Sequence, residues 1–467
     1  MRIAILDDGV NEGWLNDEGI INLQVNEENQ IIPRINYNKY EKNHGSLCAG
    51  IIKKYAPDCE IVSIKVLNDN RYGSCRALLK AMDWCIENNI RLVHMSIGST
   101  KYIDYESLRR KTAQLISNHC IIVAACHNEE KYTLPACLSG VIGVKALKVW
   151  DNREYRYNRY YFDDADMLAQ SRHYVNGDYT PIANSYAAPY ITAKVYHLLE
   201  NNQMTISQIK QKLYHNWIKT QNSMKKYNIN LASGTDFIYR AYVIDYDNKL
   251  QYDLCEFELE KADITKLSFI RICTRVSVII VGNSDINDKD VISFLENNKK
   301  NIVGTAVCGK ISTELMKFLY YQKDYLIWTT DIAYVEENTQ STDIPIIEVR
   351  CLDRKKQLAA GKMITKSFTE QGYGVLMVSD EVYSSIYGYK YFDSEKLTDD
   401  LLNQYINRVE PDIVIAEFGN KNNICSDIQI YCSEIQGKLY DIYDGEKMIE
   451  LNVNEDQIVN SISNYLS

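Results

Sequence analysis

The stretch that decides the fold of this chain is Ile3-Ala4-Ile5-Leu6-Asp7-Asp8-Gly9. An apolar run that ends in two carboxylates and a glycine is typical of a buried strand in a parallel sheet. Such a strand delivers the residues that follow it to the carboxyl edge of the sheet, where open α/β proteins place their sites. Asp7 is therefore a candidate functional carboxylate at that edge.

A second segment, Asn43-His44-Gly45-Ser46-Leu47-Cys48-Ala49-Gly50, places a histidine at the start of a predicted helix. Apolar residues follow at helical spacing as far as Tyr55. A neutral imidazole in this position accepts a proton from a hydroxyl group when a carboxylate fixes its tautomer. His44 is the candidate base, and Asp7 is its candidate orienting carboxylate.

Two later segments supply an amide and a hydroxyl group. In Val123-Ala124-Ala125-Cys126-His127-Asn128-Glu129, Asn128 follows a predicted strand and offers a side-chain N–H group to an oxyanion. In Ala183-Asn184-Ser185-Tyr186-Ala187-Ala188-Pro189, Ser185 lies at the start of a long apolar helix pattern. The backbone N–H groups of a helix N-terminus favour the negative charge that develops in acyl transfer. Together, the four segments supply an acid, a base, an amide donor and a nucleophile.

The order Asp, His, Asn, Ser, with these flanking residues, resembles the subtilisin-like serine proteases (subtilases). The resemblance runs from residue 1 to about residue 220 and implies a subtilisin-like parallel-sheet catalytic domain. It also implies roles for seven residues: Asp7, His44 and Ser185 as the catalytic triad, Asn128 in the oxyanion hole, and Ser96, Ile97 and Gly98 along the substrate.

Three positions depart from the pattern of that family. Asp8 stands where Ser or Thr is usual, Ala183-Asn184 stand where Gly-Thr is usual, and His127 replaces a glycine. We expect Asp8 to serve the local turn. We expect the other departures to alter the walls of the cleft, so peptide specificity cannot be transferred by analogy.

Composition restricts the class of protein. A chain of 467 residues with 46% hydrophobic residues has enough material for roughly two or three domains. It has no run of about 18 apolar residues that would span a membrane. Because the first strand begins at the N-terminus, we expect no signal peptide and a cytoplasmic location. The 13 cysteines, Cys48 and Cys126 included, are expected to be reduced packing residues. No spacing or acidic loop predicts a metal site, and no cofactor is predicted.

Charge divides unevenly along the chain. Residues 1–235 carry 28 Lys and Arg against 24 Asp and Glu, whereas residues 236–467 carry 24 against 38. An acidic second half argues against binding of nucleic acid there. We expect it to serve as a recognition or partner-docking module.

The pattern after the first domain predicts a second doubly wound α/β domain. We expect domain boundaries at residues 1–232, 233–270 and 271–467, the last with two possible subdomains at 271–342 and 343–467. Alternating runs at residues 237–246 and 250–259 predict a connecting β-hairpin. Short apolar strands then alternate with helices, which favours parallel sheets.

One segment of the second half resembles P-loop nucleotide-binding proteins. The strand Ile344 to Val349 is followed by a predicted loop that ends in Gly361-Lys362. Lys356 stands in place of the first glycine and Met363 in place of the Ser or Thr that binds magnesium. We interpret this segment as a degenerate P-loop, with Lys362 as the candidate phosphate-binding residue.

The sequence therefore predicts an intracellular serine endopeptidase. The whole arrangement is similar to proteases of bacterial peptide-maturation clusters, and this resemblance implies that the enzyme removes the leader of a specific precursor peptide. Two alternatives remain open: a catalytically silent peptide-binding module, and a nucleotide-dependent enzyme that uses the C-terminal domain.

Overall fold

The chain forms three α/β units, each built on its own sheet. The computed structural model describes residues 1–68, 72–129, 131–147, 155–158, 165–218, 229–282, 286–330, 341–419, 424–432, 439–445 and 447–466. We refer to residues 1–218 as the first unit, 229–330 as the second and 341–466 as the third. The predicted α/β class with mainly parallel sheets is confirmed.

The first unit is a nine-stranded sheet with helices on both faces. Its strand order is β3-β2-β4-β1-β5-β6-β7-β9-β8, parallel except for β3 and β8 at the two edges. The strands are β1 (Arg2–Asp7), β2 (Ile21–Val25), β3 (Ile31–Pro33), β4 (Glu60–Lys65), β5 (Leu92–Met95), β6 (Ile121–Ala125), β7 (Ile142–Ala146), β8 (Tyr155–Tyr157) and β9 (Met167–Ala169), with a separate hairpin of β10 (Tyr174–Val175) and β11 (Asp178–Tyr179). The helices are α1 (Glu12–Leu15), α2 (His44–Tyr55), α3 (Cys75–Glu87), α4 (Tyr105–Ser117), α5 (Asn184–Leu199) and α6 (Ile206–Ile218).

Strand β1 is central, and its side chains alternate between two cores. Ile3 and Ile5 pack in the cluster that contains α2 and α5, while Ala4 and Leu6 pack in the cluster that contains α3 and α4. Since both faces are covered, every residue of β1 from Ile3 to Asp7 is buried. This position brings Asp7 out at the carboxyl edge, between two neighbouring parallel strands.

The second unit is a five-stranded parallel sheet in the order β13-β12-β14-β15-β16. Its strands and helices are β12 (Arg240–Ile244), β13 (Glu258–Lys261), β14 (Val276–Val281), α7 (Asp288–Asn298), β15 (Ile302–Cys308), α8 (Thr313–Tyr320) and β16 (Leu326–Thr329). The predicted hairpin at 237–259 is wrong, because β12 and β13 pair in parallel. Alternation identified the two strands but carries no information about their relative direction. Both strands belong to the sheet of the second unit.

The third unit is a seven-stranded sheet in the order β19-β18-β20-β17-β21-β22-β23. Strand β22 runs antiparallel to both of its neighbours, β21 and β23. Its elements are β17 (Ile346–Arg350), α9 (Arg354–Glu370), β18 (Val375–Ser379), β19 (Lys390–Tyr391), α10 (Asp399–Val409), β20 (Ile413–Glu417), β21 (Ile428–Cys432), β22 (Leu439–Asp444), β23 (Lys447–Asn454) and α11 (Glu455–Leu466). The predicted alternation of strands and helices over residues 276–416 is confirmed.

One pair of cysteines departs from the expectation that all are reduced. Cys351 and Cys432 form a disulfide, with Cα atoms 5.1 Å apart. They follow Arg350 and Tyr431, which are paired residues of the neighbouring strands β17 and β21. The register of the sheet thus brings together two residues that are 81 positions apart in the chain. The other eleven cysteines are free.

The sequence from Lys219 to Thr235 is polar, as expected of a linker, and its positions 219–228 lie outside the described residues. Within the described part of the chain, no helix combines the length and the apolar character needed to cross a membrane.

Candidate active site

The carboxylate of Asp7 and the imidazole of His44 form a buried pair. Both oxygens of Asp7 lie 2.9 Å from His44 Nδ1, and Asp7 Oδ1 also accepts the backbone N–H of Asp8 at 2.8 Å. The Asp7 side chain is 1% exposed and that of His44 is 17% exposed. Burial opposes the charge on each partner, but their mutual attraction outweighs it, so the pKa of Asp7 is lowered and that of His44 is raised. With Nδ1–H donated to Asp7, Nε2 is left as the proton acceptor.

Asp8 fixes the helix that carries His44. Its Oδ1 accepts the backbone N–H of Gly45 at 2.7 Å, and its Oδ2 accepts the backbone N–H of His44 at 3.2 Å. Asn43 caps the same helix by accepting the N–H of Ser46. A negative charge at this helix N-terminus is favourable. The residue in place of the usual Ser or Thr thus anchors the start of α2.

Ser185 lies beside this pair. It is the second residue of α5, which packs along α2, and it is partly exposed. The ring of the next residue, Tyr186, lies 5.2 Å from the His44 ring, centroid to centroid. The sulfur of Cys48 lies 3.9 Å from His44 Nδ1 and 3.5 Å from the backbone oxygen of Ser185. The structure therefore brings Asp7, His44 and Ser185 to one point at the carboxyl edge of the sheet.

Asn128 approaches the same point from β6. Its Oδ1 accepts the backbone N–H of Asn184 at 2.9 Å, at the first residue of α5. Since the oxygen of this amide is held by the helix, its nitrogen is directed away from that contact. Asn128 itself is exposed. Asn128 thus lies against the N-terminus of α5 through its amide oxygen.

The side chain of Asn184 does not line the cleft. It is 8% exposed and donates to the backbone oxygens of Cys126 at 3.1 Å and His127 at 3.0 Å. Its Oδ1 accepts the backbone N–H of Ala146 at 2.8 Å. The expectation that this residue alters the wall of the cleft is therefore wrong, because its side chain points inward and joins α5 to the ends of β6 and β7.

The segment Ser96-Ile97-Gly98 follows β5 and leads to Ser99, which exchanges two backbone hydrogen bonds with Leu134. A Cβ atom on Gly98 would lie 2.5 Å from the backbone oxygen of Leu134, so only glycine permits this close approach. The hydroxyl of Ser96 turns inward and donates to the backbone oxygen of Ser185 at 2.9 Å. Its side chain thus contacts the helix of Ser185.

Sequence reasoning missed His94, which is fully buried behind the site. Its Nδ1 lies 2.9 Å from Thr192 Oγ1, and its Nε2 lies 2.9 Å from Ser96 Oγ. Burial lowers the pKa of His94 to about 3, so the ring is neutral at physiological pH. A histidine within the otherwise apolar run of β5 was the available signal.

Among the described residues, Asp7, His44 and Cys48 form a group whose possible metal-ligating atoms lie within 4.8 Å of one another. His44 Nδ1 is already engaged with Asp7. Burial raises the pKa of the Cys48 thiol, which therefore remains protonated. As arranged, the group is a hydrogen-bonded pair with a neutral thiol packed against it.

The predicted loop around Gly361-Lys362 is wrong. Residues 354–370 form helix α9, which is capped by Asp353. Lys362 lies within this helix, where it forms an ion pair with Glu256 and donates to the backbone oxygen of Leu254 at 2.5 Å. Only three residues separate β17 from α9, which is too short a loop to surround phosphates. Lys362 thus joins the second and third units, and it is not part of a phosphate-binding loop.

A family model described as the Subtilase family matches residues 1–234. The chain belongs to the subtilase family. The Minor extracellular protease Epr of Bacillus subtilis is 31% identical over 120 residues, which are 23% of this chain and 18% of that protein. The Thermostable alkaline protease of Halalkalibacterium halodurans is 29% identical over 115 residues, covering 22% and 31% respectively. The matched regions thus span less than a third of either relative.

Two solved protease structures align with about half of this chain. The S41 Psychrophilic Protease aligns with a TM-score of 0.38 and 18% identity, over 46% of this chain and 82% of that one. A Lanthipeptide Protease aligns with a TM-score of 0.36 and 15% identity, over 48% and 81%.

Proposed function

We propose that this subtilase is a serine endopeptidase with Asp7, His44 and Ser185 as its catalytic triad. The observation that carries the proposal is the buried Asp7–His44 pair, whose Nδ1 contacts of 2.9 Å leave Nε2 as a base beside the N-terminus of α5. Buried carboxylate, oriented imidazole and helix-terminal serine are the parts that nucleophilic acyl transfer needs.

The reaction begins when His44 Nε2 accepts the hydroxyl proton of Ser185 and the serine oxygen attacks a peptide carbonyl carbon. The C–O bond forms as the carbonyl π pair moves to oxygen, where Asn128 and the Ser185 backbone N–H stabilise the negative charge. The intermediate then expels the amine, which takes its proton from His44. Water hydrolyses the acyl-enzyme by the same steps, and the triad is restored.

A fluorophosphonate probe tests this proposal. The wild-type chain should be labelled on Ser185, and Ser185→Ala should not be labelled, while Ser268→Ala in the second unit should be labelled as wild type. Folded wild-type protein that takes up no label would leave the catalytically silent peptide-binding module as the better description.

We also propose that the substrate is one specific precursor peptide, from which the enzyme removes a leader segment. A groove of about 530 Å³ supports this proposal, because it lies between the first and third units, just beyond the segment that would pair with substrate. One wall begins at Tyr102, four residues after Gly98. The opposite wall includes Met363 of helix α9 and Tyr373, which lies between α9 and β18. We infer that a peptide paired beside residues 96–98 continues toward this groove and so contacts the third unit.

The two units are in direct contact along this groove. A Cβ atom on Gly374 of the third unit would lie 2.7 Å from the backbone nitrogen of Ile103. Lys131 and Glu410 form an ion pair across the same boundary, 3.7 Å apart. A wall that is shared by two units gives the acidic second half a means of selecting the substrate.

A cytoplasmic location stays a prediction. The eleven cysteines that form no disulfide support it, and the Cys351–Cys432 disulfide does not.

Candidate precursor peptides test the substrate class. Mass spectrometry of the products should show one cleavage site, and the same mixture with Ser185→Ala should show none. Cleavage at many unrelated sites would contradict specific processing while leaving the endopeptidase proposal intact.

A further inference from the structure

We propose that Asn184 is a positioning residue, whose side-chain amide holds residues 126–128 against the N-terminus of α5 and so sets the place of the oxyanion donor Asn128. The inference rests on the proposed endopeptidase function. It concerns a residue that contacts none of the reacting groups through its side chain.

The Asn184 side chain forms three hydrogen bonds, which use both of its N–H donors and its oxygen. The amide has two N–H groups, which donate to the backbone oxygens of Cys126 and His127, at 3.1 Å and 3.0 Å. Its oxygen accepts the N–H of Ala146 at 2.8 Å. These partners also identify the oxygen and nitrogen of the amide. The nitrogen faces two carbonyl oxygens, and the oxygen faces the N–H of Ala146. One side chain thus ties three chain segments together.

The backbone of the same residue completes the link. The N–H of Asn184 donates to Asn128 Oδ1 at 2.9 Å, which turns the nitrogen of that amide away from the helix start. Because Ser185 follows Asn184, this bond fixes Asn128 relative to the residue whose backbone N–H is the second oxyanion donor. Hence the distance between the two oxyanion donors depends on this one buried residue.

An amide is the side chain that satisfies this position. Aspartate lacks both donors and would place a carboxylate against two carbonyl oxygens. Threonine supplies one donor, and alanine supplies none. Because the position is 8% exposed, water cannot readily replace the lost partners.

The test is a double-mutant cycle of Asn184→Thr and Asn128→Ala, measured with a short chromogenic peptide and with the rate of fluorophosphonate labelling. Loss of one oxyanion donor lowers kcat by roughly 10²- to 10³-fold. The loss of kcat in Asn128→Ala is therefore the upper limit for the loss expected in Asn184→Thr. We expect Asn184→Thr to lower kcat by about tenfold or more with KM changed less than about threefold, within that limit. In the Asn128→Ala background, Asn184→Thr should change kcat by less than about twofold, because the amide that Asn184 positions is already absent.

The outcomes separate the two proposals. Full kcat in Asn184→Thr, or an equal loss of kcat with and without Asn128, would overturn the positioning role. Thermal unfolding of each variant identifies a folding defect, and if Asn184→Thr does not fold, Asn184→Ser, which keeps one donor in a smaller side chain, takes its place in the cycle. Wild-type protein without labelling would instead count against the endopeptidase function itself.

Discussion

His94 Nε2 lies 2.9 Å from Ser96 Oγ, and this contact links the interior of the first unit to helix α5, which carries Ser185. Thr192 donates its hydroxyl hydrogen to Ala188, so His94 donates from Nδ1 to Thr192. The same Ser96 oxygen lies 2.9 Å from the backbone oxygen of Ser185. Burial at this position lowers the pKa of His94 and keeps the ring neutral.

This neutrality predicts how stability depends on pH. The pKa of His94 is lowered to about 3 by burial, whereas an unfolded chain binds the proton near its ordinary value of 6.5. The neutral ring therefore makes its full contribution to the free energy of unfolding above pH 6.5. This contribution, at most roughly 5 kcal/mol, is lost as pH falls from 6.5 to 3. Urea unfolding of wild type and His94→Asn at several pH values should show a smaller acid loss in the variant. His215→Gln, at an exposed position, should follow wild type, and identical slopes for all three proteins would contradict the prediction.

The pH dependence of labelling follows from the Asp7–His44 pair. Only neutral His44 accepts the serine proton, and the Asp7 carboxylate raises the pKa of His44 above its ordinary value, even though burial acts in the opposite direction. The rate of fluorophosphonate labelling should therefore rise with pH, with a midpoint above 6.5. A midpoint below that value would show that burial dominates over the charge of Asp7. His215→Gln serves as the control, since that ring is remote from the site.

The groove between the first and third units predicts a difference between long and short substrates. Tyr373, which lines the groove from the segment between α9 and β18, is 36% exposed and has no role in the proposed chemistry. We expect Tyr373→Ala to lower kcat/KM for a precursor peptide by about tenfold, since one lost aromatic contact costs about 1.4 kcal/mol. Hydrolysis of a short chromogenic peptide should be unchanged. Phe269→Ala, at a residue 79% exposed on the second unit, is the matched control. An equal loss for both substrates in Tyr373→Ala would exclude recognition through the groove.

Local patterns predicted Asp7, His44 and Ser185, because each follows from its own strand end or helix start. The role of Asn184 was not predictable in this way, since its partner Cys126 is 58 residues distant in the chain. His94 and Thr192 are 98 residues apart, and only the packing of α5 on β5 brings them together. The sequence therefore predicts the candidate reactive groups, whereas the fold determines which buried polar residues contact them.

Two predictions for the second half of the chain were wrong, the β-hairpin and the phosphate loop, and each error has a local cause. Alternating residues identified β12 and β13, but a parallel pair and a hairpin share that alternation. Gly361-Lys362 suggested a phosphate loop because glycine is unusual inside a helix. Asp353, which caps α9 by accepting the N–H of Lys356 at 3.0 Å, was the helix signal that should have outweighed it.

Gly361 itself supplies a test of this corrected view. In most helices, replacing an interior glycine with alanine stabilises the protein by about 1 kcal/mol. Here a Cβ atom would lie 1.8 Å from Glu417 Oε1 and 2.7 Å from the hydroxyl oxygen of Tyr389. Glu417 is fully buried and accepts a hydrogen bond from Tyr389 at 2.5 Å, so it cannot move aside without losing that partner.

We therefore expect Gly361→Ala to lower the free energy of unfolding by about 1–3 kcal/mol, as overpacking does in other cores. Ala359→Gly, at an exposed position of the same helix, should lower it by about 1 kcal/mol through helix propensity alone. Urea unfolding measures both. A stabilised Gly361→Ala would mean that this glycine does not lie against Glu417. Since the helix packs on β20 through this contact, that result would also contradict the placement of α9 on the third sheet.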